Sequence, residues 1–372
     1  MLDIQKRTWA EIDLGAIENN YKVIRREFPA ECRFLGVVKA DAYGHGAVPV
    51  AKRLEALGAE YFGVACIDEA AQLRAAGITK PILILGPTPA VYADMLADLD
   101  VTQAVDSEEQ GLKLSQALSA GKTLRIHLKL DTGMGRVGFR AAEEERLMAA
   151  VRIMALPNLE AEGVFTHFAV SDEPDGVEYT HEQYDRFAAA IKLLEEASGR
   201  QLAIRHCANS GAVVNYREYG LDMVRPGLLT YGYYNGDRKG LDLKPAMALR
   251  SRVAAVTKHR AGDTISYGRT FTATRDCTLA VVPVGYADGL HRCLSNRMEM
   301  MVNGKRVPQV GRICMDMCMA DVTELDNVQP GDVVTIFGPE LSVDEQAALA
   351  GTISYEMVCS VSRRVPRVYI NE

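Results

Sequence analysis

Between Phe34 and Arg225 the chain carries eight short runs that read as strands, most of them separated by segments whose apolar residues recur at helical spacing. The strand-like runs fall at 34–38, 61–65, 82–85, 101–105, 124–130, 159–166, 202–206 and 222–225. Segments such as VAKRLEALG, DEAAQLRAAG and HEQYDRFAAAIKLLEEASG separate most of them, several closed by a glycine suited to a helix C-cap. Eight strands in strict alternation with helices are more naturally closed into a barrel than left open, because closure removes both exposed edges. After Tyr234 the texture changes. A polar stretch, NGDRKGLDLKP, leads into short strand-like runs punctuated by Gly, Pro and an Asn-Gly turn. The expected fold is therefore α/β: a (β/α)8 TIM-type barrel over residues 1–240, followed by a mostly β domain over 241–372. An early strand, TWAEID at 8–13, can pair with either domain.

At 372 residues, 48% of them hydrophobic, the chain can bury the large core that two such domains need. No window resembles a membrane span and the opening residues lack a signal-peptide core, which points to a cytoplasmic protein. The eight cysteines are scattered. Cys314 and Cys318, the closest pair, do not have the CxxC spacing of a zinc site, so reduced thiols and no metal are expected. A net charge of −7 with no basic stripe disfavours nucleic acid and leaves a small molecule as the default partner.

In a barrel of this kind the reactive groups gather at the carboxyl ends of the strands. Five strand ends carry one. The first ends at Lys39 in FLGVVKADAYGHG, the fifth at Lys129 with Asp131, the sixth at His167, the seventh at His206 with Asn209 and Ser210 beyond, and the eighth at Arg225. Each alone has an ordinary explanation: a solvated lysine after a core strand, a satisfied core histidine, an arginine before proline. Together they would face one cavity if the eight strands close into a barrel. There Lys39 becomes a desolvated amine able to form a Schiff base and accept a proton. Ser210-Gly211-Ala212 and the backbone of Gly227 and Leu228 are candidate phosphate cradles, in the place where this barrel habitually binds phosphate. A competing motif, Gly133, Gly135 and Gly138 with Glu160 or Glu162 about twenty residues on, spells a dinucleotide fingerprint. It follows the fifth strand rather than the first, and Arg136 occupies its tight turn.

A Schiff-base lysine, a phosphate cradle and a strand-end arginine suggest pyridoxal 5'-phosphate. KADAYGHG, HLKLDTGMGRVGF, HCANSGA, RPGLLTYG, SYGRTF, GYADGLHR and GRICMDM, in that order along nearly the whole chain, resemble the motifs of bacterial alanine racemases. The resemblance implies a fold-type III enzyme that interconverts L- and D-alanine, supplies D-alanine for peptidoglycan, and works as a head-to-tail homodimer. It further implies that Lys39 carries the cofactor and serves as one base, and that Tyr267, reaching in from the other subunit, is the opposite base. Tyr43, Ser210, Gly227, Leu228 and Tyr355 would contact the phosphate and Arg225 the pyridine nitrogen. Arg136 and Met315 would bind the substrate carboxylate. Lys129 would be a carbamylated lysine orienting Arg136, His167 and His206 would support the cofactor from behind, and Asp172, Tyr286, Arg292 and Arg312 would form the passage by which substrate enters.

Two bases are what racemisation asks for, since a proton must leave one face of the α-carbon and return to the other. Rival readings are a non-catalytic pyridoxal phosphate carrier, which needs neither the second domain nor Tyr267, and a fold-type III decarboxylase, whose pyridine partner should be acidic rather than Arg225. Serine racemisation is the close competitor within the class. Tyr355 favours a methyl over a hydroxymethyl, but one atom alters binding by only about 1 to 3 kcal/mol.

Overall fold

In the computed structural model, which describes residues 7–234 and 236–371, the eight expected strands form one parallel sheet. In sequence order they are Arg33–Val37, Tyr61–Val64, Ile82–Ile84, Thr102–Val105, Leu124–Asp131, Leu159–Phe165, Ile204–His206 and Met223–Val224. The last pairs back onto the first, Met223 against Arg33 and Val224 against Phe34, so the sheet curls into a nearly closed barrel. Seven seams are hydrogen-bonded ladders. The eighth, between the seventh and eighth strands, is bridged by single bonds, from Asp222 N to Arg205 O at 3.1 Å and from Arg225 N to Ala208 O at 2.9 Å.

Helices cover the outside because their apolar stripes match the sheet. Leu14–Arg25 buries Leu14, Ile17, Tyr21 and Ile24, and its first turn is capped by the Asp13 carboxylate, which accepts from Ala16 N. Val177–Ser198 buries Phe187, Ala190, Ile191 and Leu194 on one face and ends at Gly199 in the left-handed conformation.

The second sheet has nine strands and recruits both ends of the chain. Thr8–Asp13 pairs antiparallel with Met247–Arg252 and parallel with the last strand, Arg367–Ile370. The early strand thus belongs to the β domain's sheet while the helix that follows it packs on the barrel. Chain entry and exit tie the two halves together.

Sequence pattern and structure differ most just after Lys39, where a polar loop is the natural reading. Residues 40–43 instead make a turn of left-handed helix, with φ of 53°, 53°, 55° and 52°, leading to Gly44 at 81°. Each non-glycine residue there is disfavoured by roughly 1–2 kcal/mol, so the turn persists only because its surroundings determine it. Glu69 accepts from Ala40 N and from Ala65 N, both at 2.7 Å. The Asp41 carboxylate accepts from Ala47 N at 2.7 Å, and buried His45 donates through Nδ1 to the carbonyls of Ala42 and Tyr43. Gly44 is required, since a Cβ there would lie 2.5 Å from the Val358 carbonyl.

Candidate active site

The left-handed turn fixes where Lys39 points. It enters a cavity of about 380 Å³ at the carboxyl mouth of the barrel, together with Tyr43, Lys129, Arg136, His167, Asp172, Ser210, Arg225, Gly227 and Tyr355. Four basic side chains, Lys39, Lys129, Arg136 and Arg225, share the cavity with one carboxylate, Asp172. Burial lowers the Lys39 ammonium's pKa, and the Arg136 charge lowers it further. Lys129 is 4% exposed. Burial, with Arg225 beside it, brings its pKa down to about 7, so a large share of its amine is neutral at ordinary pH.

Arg225, 5% exposed, is held entirely by neutral acceptors. It donates to Thr166 O at 2.8 Å, to Cys207 O at 3.2 Å and to His206 Nδ1 at 2.9 Å, with His167 Nδ1 at 3.4 Å. Its guanidinium lies 5.5 Å from the Phe165 ring centre. Burial lowers its pKa to about 10, still well above neutrality, and keeps both His167 and His206 uncharged by pushing their pKa values well down.

The same cavity has an oxygen-rich corner at Gly227. The Tyr43 hydroxyl lies 2.7 Å and the Ser210 hydroxyl 3.8 Å from where a Cβ on Gly227 would be, so only glycine leaves the corner open. Asn209 caps the helix that Ser210 begins, accepting from Ala212 N at 3.1 Å, and Gly227 opens the next short helix. The side chain of Leu228 is buried in the core rather than in the cavity, so only its backbone is available there.

Tyr267 and Met315 lie elsewhere. They line a separate, open cavity of about 590 Å³ on the β domain, and are 69% and 53% exposed. Tyr267 is presented by a turn in which Ser266 adopts φ 65° and donates from its hydroxyl to Arg312 O at 2.6 Å. The Met315 loop is held by the Tyr286 turn, with bonds from Tyr286 N to Cys314 O and from Ala287 N to Met315 O, both at 3.1 Å. Beneath it, buried Asp288 accepts from Arg7 and Arg364. Arg292 is exposed and Arg312 half-buried. Of the residues expected around the substrate passage, only Asp172 lines the Lys39 cavity within one chain.

Asn209 lines the mouth as the strand-end reasoning had it, and residues that reasoning did not name also complete it: Phe165 and Leu85-Gly86-Pro87 after the third strand. Phe165 was accessible to a period-two reading of the sixth strand, but the third-strand loop has no polar group to mark it. Two glycines of the dinucleotide-like motif serve packing instead, while Gly135, at φ 69°, meets nothing within 4 Å. A Cβ on Gly138 would lie 2.7 Å from Asp131 N, and one on Gly133 2.3 Å from the Tyr179 hydroxyl.

A parallel barrel with a buried lysine in a mouth rich in basic side chains, joined to a β domain, defines a two-domain barrel protein whose mouth favours an anionic ligand. Comparison with known proteins narrows the class. Residues 12–235 match the family model "Alanine racemase, N-terminal domain" and residues 246–369 the model "Alanine racemase, C-terminal domain". An alanine racemase from Desulfovibrio desulfuricans is 47% identical over the full length of both chains, and one from Desulfosudis oleivorans is 47% identical over 98% of this chain and 96% of its own. The solved alanine racemase of Clostridium difficile superposes with a TM-score of 0.94 at 39% identity, covering 98% of this chain and 96% of that one. That of Bacillus anthracis, with bound L-Ala-P, gives 0.93 at 38%, covering 99% and 96%. The chain belongs to the alanine racemase family.

Proposed function

We propose that this racemase interconverts L- and D-alanine on pyridoxal 5'-phosphate carried by Lys39, with a second base supplied by another subunit. The observation that carries the reading is the cavity itself. The Tyr43 and Ser210 hydroxyls flank a corner that a single Cβ on Gly227 would fill, and the same cavity holds Tyr355 and the basic side chains of Lys39, Lys129, Arg136 and Arg225, a donor set that fits a phosphorylated cofactor. Tyr43, Ser210, Tyr355 and the backbone of Gly227 and Leu228 would hold the phosphate, and Arg225 the pyridine nitrogen. When bound, the cofactor supplies the electron sink that makes the α-proton of alanine removable.

The chain's own residues do the rest. Lys39, its pKa lowered by burial, is poised to take or return the proton on one face of the α-carbon. Arg136 lines the cavity and is placed to bind the substrate carboxylate. Lys129, with its neutral amine accessible near pH 7, is suited to carbamylation, which would turn a cation into an anion able to orient Arg136. Arg225 keeps its proton and donates it only as a hydrogen bond, which restrains transamination while leaving proton exchange open. The base for the other face is Tyr267, which lies outside the Lys39 cavity of its own chain. A head-to-tail homodimer brings Tyr267 and Met315 of the partner subunit to each cavity.

Eight free thiols fit a reducing cytoplasm, and no helix among the described residues is long and apolar enough to cross a membrane. D-alanine for peptidoglycan is the product this assigns. Conversion of D- to L-alanine by purified protein, with borohydride labelling mapped to Lys39, tests the proposal; label on another lysine overturns the assignment.

A further inference from the structure

The Arg225 contact with His206 is the first link of a chain that crosses the barrel core. His206 Nε2 lies 2.8 Å from His127 Nδ1. The remaining nitrogen of His127, Nε2, is buried with no hydrogen-bond partner among the described residues; Glu162 Oε1 stands 3.4 Å from it, the acceptor it faces. Glu162 in turn accepts from the Tyr61 hydroxyl at 2.6 Å and the Thr102 hydroxyl at 2.8 Å. The four side chains come from different parts of the barrel: the fifth, sixth and seventh strands and the end of the eighth. Both imidazoles are fully buried.

Hydrogen-bond polarity runs one way along this chain. A carboxylate can only accept, and Glu162 is held as one: against the opposing effect of burial, the adjacent His127 and the bond from Tyr61 bring its pKa down to about 2. His127 therefore carries its proton on Nε2 and offers Nδ1 as an acceptor. Burial keeps His127 and His206 neutral, so His206 donates from Nε2 to His127 and offers its own Nδ1 to Arg225. Reversed, the chain would set a His206 Nδ1–H against an Arg225 N–H, two donors 2.9 Å apart.

We propose that Glu162 is a positioning residue for Arg225: its carboxylate fixes both His127 and His206 as Nε2–H tautomers and so keeps the guanidinium anchored at Nδ1 of His206. Two details of the backbone support this. The ladder between the fifth and sixth strands slips at this point, pairing Ile126 with Ala161 but His127 with Gly163, so Glu162 is the extra residue of an irregularity of the kind that re-aims a side chain. Gly163 leaves space for the ring, since a Cβ there would lie 2.7 Å from His127 Nε2.

The inference rests on Arg225 serving the cofactor as proposed above, but its primary readout does not depend on turnover. Ring 15N spectra of the enzyme as purified, labelled at its seven histidines and assigned with His127→Gln and His206→Gln, should give both rings as neutral Nε2–H tautomers. A proton on Nδ1 of either ring in the native enzyme overturns the proposal outright. In Glu162→Leu at least one ring should move its proton or exchange between tautomers, and kcat should fall ~10-fold with KM for alanine little changed, as losses of partners that orient imidazoles do elsewhere. Glu162→Gln, whose amide oxygen still accepts, should retain both tautomers and most of kcat. Unchanged tautomers in Glu162→Leu would sink the idea. If that variant fails to fold, the native spectrum and Glu162→Gln still decide it, a lost tautomer in Glu162→Gln counting against it. Absence of alanine racemisation in the native enzyme, with the tautomers as stated, would instead remove the proposed function and leave the chain's polarity standing.

Discussion

Two surfaces carry the residues of the proposed reaction, and they are built in opposite ways. The barrel mouth is enclosed and crowded with charge: Lys129 and Arg225 are almost wholly buried, and Lys39 is held by a left-handed turn pinned at both ends. The Tyr267 surface is open, its tyrosine and Met315 more than half exposed. The mouth is organised within one chain, so its groups have shifted proton affinities before any ligand arrives. The open surface is organised in position only, its tyrosine still facing solvent.

Removing Lys39 should have the largest effect. Lys39→Ala is expected to lower racemisation by at least ~10³-fold and to abolish borohydride labelling; a variant keeping a tenth of native activity would break the assignment of the mouth as the reactive surface. Tyr267→Phe should lose ~10²-fold or more, and mixing it with Lys39→Ala sharpens the contrast. Random exchange of subunits restores one intact shared site per mixed dimer, giving roughly one quarter of native activity. No recovery on mixing, with exchange demonstrated, would place both residues in one chain's site.

Arg225→Glu should raise the rate of transamination relative to racemisation, measured as pyruvate formed per turnover; an unchanged ratio would count against the arginine's role as a hydrogen-bond donor only. The Lys129 amine reacts with carbon dioxide when neutral. With its pKa near 7, a carbamate signal from 13C-bicarbonate should be weak at pH 6 and strong at pH 8, whereas an ordinary lysine would need a pH some three units higher. The smallest effect separates the surfaces by packing. Gly44→Ala sets a side chain against the fixed Val358 carbonyl at 2.5 Å, while Gly268→Ala in the Tyr267 turn meets only the Arg312 guanidinium, at 3.1 Å. Both glycines have positive φ. The first should destabilise by about 3 kcal/mol and the second by about 1 kcal/mol in denaturant unfolding.

Much of the mouth could be read from the chain because strand ends in a barrel must converge. Lys39, Lys129, His167 and Arg225 needed only the strand count and the rule that reactive groups lie at the carboxyl ends. His206 sits behind the cavity rather than in it, bonded to Arg225. His127 was visible in principle, two residues before Lys129 and on the same side of its strand. Glu162 was not. Its alignment with His127 follows from a one-residue slip in register, and the sequence pattern offered it instead as the acidic residue of a dinucleotide motif.

The sequence by itself determined the barrel, the presence of a β-rich second part and the kinds of groups at each strand end, because burial period and strand alternation are local properties written into neighbouring residues. The tertiary structure alone decided the left-handed turn behind Lys39, the placement of Thr8–Asp13 in the second sheet, and the separation of Tyr267 from the Lys39 cavity. Each of these depends on contacts between residues far apart in the chain, such as Gly44 with Val358 and Thr8 with Ser251. Their energies overrule local preference and leave no trace in spacing.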